Sequence, residues 1–318
     1  SKEFAKNFMN KYNIPTGSYK SFTRDTLNEG VNFIKNNNPP YVLKADGPAA
    51  GKGVIIVNNE EEAVSNLKDM LINSKFGASS QTVIIEEFLS GIEMSCFVLF
   101  DGLNYKILPY AKDYKRIGEG DSGLNTGGMG SVSPVDFLND DLKSKITNEI
   151  IEPTINGLIN EKINYVGFIF IGLINDGDQP KVIEYNVRMG DPETQVVLPR
   201  LKNDFVELLT ACSEKKLNQI NLEIDTDYYT NVVLASGGYP EDYQKGFEIS
   251  GLNEVEDSIA FHAGTSFNNE KVVTNGGRVL SVVSSAKTMK EALNNSYSNI
   301  EKINFKGKLY RKDIGFDL

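Results

Sequence analysis

Apolar positions recur at helical spacing in several stretches of the chain. Phe4, Phe8 and Tyr12 share one side of an opening helix, and residues 25–36 read as a second helix that ends in Asn36-Asn37-Asn38-Pro39-Pro40. Residues 60–71 place Ala63, Val64, Leu67 and Leu71 on one face, with acids in the first turn where the helix dipole favours them. Leu142, Ile146, Ile150 and Leu158 predict a helix over 140–163 that Asp140 caps and Pro153 kinks. A helix capped by Asn203 and a closing helix over 287–302, carrying Met289, Leu293 and Ile300, complete the set. Between them, short β-branched and apolar runs predict strands at 41–44, 53–57, 82–89, 94–100, 105–110, 165–174 and 180–186, with a turn at Asp101-Gly102. Residues 111–134 have six glycines and no apolar period, which predicts a long loop, and a loop of that length is usually functional. From about residue 221 the pattern changes to short strands with glycine turns. Strand and helix thus alternate in an α/β or α+β chain, with a small α/β unit over 17–90 and a β-rich lobe at the end.

Length and composition narrow the picture. A chain of 318 residues suggests two or three lobes, and 40% apolar residues suffice for real cores. A formal net charge of −10 argues against a nucleic-acid partner, which would call for a concentrated basic face. It leaves room for a small anionic ligand held by a few local lysines and arginines. No stretch approaches the roughly 18 to 20 apolar residues that span a bilayer, so no membrane role is expected. Cys96 and Cys212 lie far apart in apolar stretches and read as buried free thiols, and the expected location is the cytoplasm. His262 is the only histidine and reads as a strand end with a structural role. Acidic, lysine and backbone chemistry must therefore carry any catalysis.

Four segments offer that chemistry. In Lys44-Ala-Asp-Gly-Pro-Ala-Ala-Gly-Lys-Gly53, a strand ends in Lys, a small-residue loop carries a second Lys, and another strand follows. Glycines let backbone N–H groups approach phosphate oxygens while two ammonium groups neutralise them; a hairpin turn with solvated lysines would look the same. It is not a Walker loop, because Gly-Lys is followed by Gly and a strand. In Glu86-Glu-Phe-Leu-Ser-Gly-Ile-Glu93, a strand end can offer backbone groups to an adenine edge and a carboxylate to ribose, or simply face water. In the run from Lys181 to Gln195, strand alternation puts Glu184, Asn186 and Arg188 on one side. Two hard oxygen donors so placed suit Mg²⁺ held together with phosphates, and the planar arginine fork suits a carboxylate or phosphate. Finally, the loop from Asp113 to Gly130 combines backbone nests for an anion with acids that could hold an amine.

In this order the segments resemble the glycinamide ribonucleotide synthetases, ligases of the ATP-grasp type. The strings are SKEFAKNFMNKYNIPT, KADGPAAGKGV, VIIEEFLSGIE, LNTGGMGSVSP, VIEYNVRMGDPETQ, ASGGYP, FHAGT, NGGRVL and RKDIGF, from Ser1 to Phe316. The resemblance implies an ATP-grasp fold with a small lid (17–90), a larger mixed body (91–225 with residues 1–16) and a C-terminal β-rich domain (226–318). It implies ATP held by Lys44, Gly51, Lys52, Gly53, Glu86, Glu87, Phe88, Leu89 and Glu93, with Mg²⁺ or Mn²⁺ on Glu184 and Asn186. Catalysis would use Arg188 and Lys52. Asp121, Asn125, Thr126, Gly127, Gly128, Met129, Arg188 and Asp191 would face glycine and 5-phosphoribosylamine. The sequence departs from the family's usual pattern at Pro48 and Leu124, both in loops. The resemblance also implies a further Rossmann-like domain ahead of residue 1, expected as a separate chain or fragment. Another ATP-grasp ligase, such as a carboxylase or formyl-transferring enzyme, and an inactive nucleotide-binding fragment are the alternatives.

Overall fold

The computed structural model describes residues 1–49 and 53–318. The chain divides into two compact units: Ser1–Ile92 with Asp140–Ile163 and Gly172–Tyr185, and Glu93–Asn139 with Asn164–Ile171 and Asn186–Leu318. Among the described residues no helix is long and apolar enough to cross a membrane.

The first unit is built on an antiparallel sheet in the order Tyr19–Thr23, Thr82–Glu87, Tyr41–Ala45, Val54–Val57. Every residue of Tyr41–Ala45 is buried, whereas the edge strand Val54–Val57 exposes Val54 and Ile56. Helices Leu27–Lys35 and Glu60–Leu71 supply Ile34, Leu67 and Met70 to a core shared with Phe22, Leu43, Val83 and Ile85. Each such side chain contributes about 1.5–3 kcal/mol by leaving water. Glu60–Leu71 starts where its sequence predicts: Asn59 Oδ1 accepts the Glu62 N–H at 2.7 Å, and Glu60, Glu61 and Glu62 fill the first turn. In the opening helix Lys2–Lys11, Ser1 is the cap; of the predicted face Phe8 is buried and Tyr12 half-buried, but Phe4 is not. Phe4 is 60% exposed while Lys6 is 2% exposed, because Lys6 has an ionic partner elsewhere in the unit.

The predicted helix over 140–163 is real but not uniform. Asp140–Lys145 is α-helical, Ile146–Ile151 forms a π turn, and Glu152–Asn160 resumes the α-helix. Pro153 has no N–H to donate to the preceding turn, so the ladder widens there. Asp140 lies inside the first turn and does not act as the cap. Strands Gly167–Asp176 and Gln179–Asn186 meet at Gly177 and Asp178, both with positive φ (55° and 62°), as a tight two-residue hairpin requires.

In the second unit an antiparallel sheet runs in the order Ser258–His262, Arg278–Ala286, Tyr228–Ala235, Gly130–Ser133, Lys112–Asp113. Helix Met289–Lys302, capped by Thr288, packs on it through Ile300 and partly buried Leu293 against Val232, Leu234, Val279 and Val282. The predicted loop over 111–134 is corrected here. Its ends are strands of that sheet, with Ser131 and Val132 fully buried, and its middle is a hairpin of Arg116–Gly118 and Ser122–Asn125. Gly130 is glycine for lack of room: a Cβ there would lie 2.6 Å from Ile314 and 2.7 Å from the Asn231 carbonyl. Helix Phe205–Ser213 is capped by Asp204, whose Oδ1 accepts the Glu207 N–H at 2.9 Å, and not by Asn203. Cys96 and Cys212 are buried free thiols, and His262 ends its strand with Nδ1 2.9 Å from Thr265 Oγ1.

Candidate functional site

In the first unit the chemistry gathers on Glu86, at the buried end of strand Thr82–Glu87. Glu86 Oε2 accepts Lys44 Nζ at 2.8 Å and lies 3.2 Å from Lys6 Nζ. Lys6 also donates to Thr16 Oγ1 at 2.8 Å and to the Gly17 carbonyl at 3.3 Å. Burial depresses the Lys6 ammonium below its ordinary pKa, and the Glu86 carboxylate only partly offsets this. Lys2 joins them from the helix start: its ammonium donates to the carbonyls of Ala45 at 2.7 Å and Gly47 at 3.3 Å, and its pKa is likewise lowered by burial. Asp46 ties this corner together, since its Oδ1 accepts the Glu3 N–H at 2.8 Å and the Ser1 hydroxyl at 2.9 Å.

Sequence reasoning found Lys44 and Glu86 but missed Lys2 and Lys6. Their signal was a helix that turns lysine inward, which apolar periodicity cannot show.

The remaining expected nucleotide residues of this unit lie close by in sequence. Glu87 Oε2 accepts the Ser18 N–H at 3.0 Å, Phe88 is exposed, and Leu89 is half-buried beside Gly17. Glu86, Glu87, Phe88, Ser18 and Tyr41 line a cavity of about 180 Å³. Gly53 closes the strand pair, its carbonyl accepting the Ala45 N–H at 2.8 Å. Gly51 and Lys52 lie outside the described residues. Glu184 is exposed on strand Gln179–Asn186, two residues before Asn186. Among the described residues no group of three or more His, Cys, Asp or Glu could hold a metal ion. Two oxygen donors on one strand face, short of a full coordination shell, fit a hard cation that arrives with phosphate oxygens of its own.

The second unit gathers carboxylates instead. Lys115 pairs with Glu93 and lies 3.5 Å from Asp113. Lys115 is itself exposed, and the neighbouring Asp113 and Glu93 carboxylates raise the pKa of its ammonium. Glu193 is 4% exposed and accepts the Ser95 hydroxyl at 2.8 Å. Burial first, and Asp113 second, push its carboxyl up to about 7. The loop that carries Glu193 is held from beneath by two fully buried side chains: Ser131 Oγ donates to the Pro192 carbonyl at 2.7 Å and Asn231 Nδ2 at 3.1 Å.

Asp191 pairs with Arg278 at 2.5 Å, and the same guanidinium donates to the Gly127 carbonyl at 2.7 Å. Tyr239 accepts the Gly127 N–H at 2.9 Å, and Thr126 Oγ1 accepts the Gly128 N–H at 2.9 Å. Asn125 is exposed at the end of the hairpin, whereas Met129 is fully buried, its N–H on the Tyr114 carbonyl and its carbonyl on the Val233 N–H. Met129 therefore presents core packing where a substrate contact was expected. Asp121 is engaged by Arg311 at 2.6 Å, and Arg188 is exposed with Nη1 on its neighbour's carbonyl. Arg278, Tyr239 and Arg311 were not singled out in the sequence, although each belongs to a string that carried the resemblance.

Solved structures place this architecture. A crystal structure of phosphoribosylamine–glycine ligase from Thermotoga maritima matches with a TM-score of 0.88 and 39% identity, over 98% of this chain and 78% of that one. The biotin carboxylase domain of Hydrogenobacter thermophilus 2-oxoglutarate carboxylase matches in fold, with a TM-score of 0.71 at 17% identity over 96% and 66%. The class is that of the ATP-grasp ligases. Two family models match the chain: the phosphoribosylglycinamide synthetase ATP-grasp (A) domain over residues 1–194 and the C domain over residues 229–317. The chain belongs to the phosphoribosylglycinamide synthetase family. It is 46% identical to the phosphoribosylamine–glycine ligase of Caldanaerobacter subterraneus, over 99% of this chain and 75% of that protein. Identity is also 46% to a bifunctional purine biosynthetic protein of Pichia angusta, of which it spans 40%.

Proposed function

We propose that this chain catalyses the ATP-dependent ligation of glycine to 5-phosphoribosylamine, giving glycinamide ribonucleotide, ADP and phosphate, as a step of purine biosynthesis. The observation that carries the reading is the gathering of ammonium groups at Glu86, with Lys44 and Lys6 on its carboxylate and Lys2 beside them, in a chain of this family. Several lysines brought together suit a polyphosphate, and Lys44 with Lys2 would bind it while Lys52 is assigned with them from the sequence. Glu86 to Leu89 would receive the adenine and Glu93 the ribose, with residues 17–90 acting as the lid over the nucleotide.

A carboxylate oxygen of glycine attacks the γ-phosphorus; the bond to the bridging oxygen breaks and ADP leaves. The amine nitrogen then attacks the acyl carbon, the carbon–oxygen bond to phosphate breaks with its electron pair, and the nitrogen loses a proton. The acyl phosphate supplies the activation, so the protein's share is positioning and electrostatic stabilisation. Arg188 would face the glycyl group with Asp191, while residues 125–128 and the hairpin carrying Asp121 would enclose the amine. Glu184 and Asn186 would hold Mg²⁺ or Mn²⁺, which neutralises phosphate charge when bound. The small-molecule substrates are glycine, 5-phosphoribosylamine and ATP, and a Rossmann-like domain is a proposed partner.

A coupled ADP-release assay with glycine and 5-phosphoribosylamine, run with and without an added Rossmann-like domain, tests the reading. ADP release that requires both substrates is expected. Release that is indifferent to glycine, or absent in both arms, would overturn it.

A further inference from the structure

Residues 311–317 carry an ionic arrangement of which the proposed reaction uses only the Asp121 partner. Arg311 is 1% exposed, and all three of its fork nitrogens are engaged: Nε and Nη2 bind the two Asp313 oxygens at 2.8 Å each, and Nη1 binds Asp121 Oδ1 at 2.6 Å and the Arg116 carbonyl at 3.2 Å. Its guanidinium carbon lies 5.4 Å from the Tyr114 ring centre and 5.7 Å from that of Phe316. Burial opposes charge on Arg311, yet the two carboxylates prevail and raise its pKa. Asp313 then turns its second oxygen to the Gly120 N–H at 2.7 Å. Asp317 adds two more ties, accepting the Tyr114 hydroxyl at 2.9 Å and lying 3.2 Å from Lys112 Nζ. The tail is itself fixed to helix Met289–Lys302, since Tyr297 donates its hydroxyl to the Arg311 carbonyl at 3.2 Å.

Burying an arginine is costly unless every donor is met, and core completion does not call for it here. The second strand of the hairpin it supports contributes nothing apolar to the core: Ser122–Asn125 is exposed along its whole length, Leu124 included. What the fork does is fix that exposed hairpin at three points: the Arg116 carbonyl at its base and, at its turn, the Asp121 carboxylate and, through Asp313, the Gly120 N–H. Gly120, Asp121 and Gly123 all have positive φ, so the segment has little local preference for one shape. An external template is what selects it.

We infer that the C-terminal tail, residues 311–317, sets the position of the substrate-enclosing hairpin 116–125, with Arg311 as its positioning residue. The inference rests on the proposed function for what the hairpin encloses, but not for the mechanical link. Lysine keeps the charge but lacks the planar fork that takes both Asp313 oxygens while reaching Asp121 and the Arg116 carbonyl, so Arg311→Lys loosens the hairpin without removing the cation.

The test is amide hydrogen exchange on the full chain, paired with kinetics under conditions in which the wild type turns over. In Arg311→Lys, exchange across residues 116–125 should rise about tenfold or more, the equivalent of one lost charge-assisted hydrogen bond, while strand Arg278–Ala286 keeps its protection. The KM for 5-phosphoribosylamine should rise about tenfold, with that for ATP unchanged within about twofold. Asp313→Asn, which leaves the Arg311–Asp121 pair in place, should show the same pattern more weakly and serves if the first variant does not fold. Unchanged exchange in the hairpin would overturn the inference. So would a rise shared equally by strand Arg278–Ala286, or a loosened hairpin with the KM for the amine unmoved. A wild type that forms no product in any arm would defeat the proposed function instead, and exchange alone would then decide the mechanical link.

Discussion

The two charge clusters are near opposites. Around Glu86, Lys6 and Lys44 share one carboxylate, with Lys2 beside them; around Lys115, the acids Glu93, Asp113 and Glu193 face one ammonium. Lysines predominate in the buried first cluster and acids in the second, where Glu193 is buried but Lys115 is exposed and Glu93 half-buried. The cationic cluster responds by weakening its own charge, as burial lowers the pKa of Lys2 and Lys6. The acidic cluster responds by holding a proton, with Glu193 pushed up to about 7. Unbalanced charge of this kind is tolerable where a ligand of opposite sign completes it, and the two signs suit the two halves of the proposed reaction, polyphosphate and amine.

The severest way to break this comparison is Glu86→Gln, which leaves two buried ammonium groups without a carboxylate. We predict about 3–5 kcal/mol of lost stability in urea denaturation, the range for breaking a buried pair from one side. A loss below about 1 kcal/mol would mean that the cluster is solvated and carries no stored charge. Next comes Glu184→Ala. Glu184 is exposed, so the melting temperature should hold, while calorimetric binding of ATP with Mg²⁺ falls about a hundredfold, as expected when a metal–phosphate site loses its only carboxylate. Unchanged binding would remove the metal from this strand.

Much of the first unit was readable in advance. Glu60–Leu71 follows from the spacing of Ala63, Leu67 and Leu71 behind an acidic first turn, and nothing distant disturbs it. The opening helix shows where reading fails: Phe8 is buried as its spacing suggests, yet Phe4 is exposed and Lys6 is buried against a carboxylate 80 residues away. In the second unit, glycines over 111–134 suggested loop, whereas Gly130 is small so that a strand can approach Asn231 and Ile314. Local composition reports conformational freedom, and it cannot distinguish freedom from tight packing. For the same reason Lys44, Glu86, Glu184 and Asn186 were legible as motif residues, but Arg278, Tyr239 and Arg311 were not. Their roles depend on partners more than 80 residues away in sequence.

Smaller effects sharpen the acidic side. Arg188→Lys retains charge but loses the planar fork, and we predict about a tenfold fall in kcat with little change in KM for ATP. Near-normal turnover would reduce Arg188 to a surface residue. The mildest test is pH. Between the ordinary glutamate value of 4.5 and about 7, folded Glu193 keeps a proton that the unfolded chain releases. The native state then binds more protons, so this residue's share of stability is present at low pH and fades as pH rises through that window. In Glu193→Gln that slope should flatten in denaturation measured from pH 4.5 to 7.5. An identical slope in both proteins would assign the titration to another group.

The two cysteines give the second unit a built-in clock. Cys96 sits in strand Ile92–Phe100 and Cys212 in helix Phe205–Ser213, both buried. Burial pushes the Cys96 thiol up to about 12, so almost none of it is thiolate at neutral pH. A thiol reagent can therefore label Cys96 only after the strand opens. Its rate then reads how often this unit exposes its interior, with no foreign probe introduced. Cys212, on a different element, times a second and independent opening in the same sample. Substrates that tighten the unit should slow both clocks, and one that orders only the helix should slow just the second.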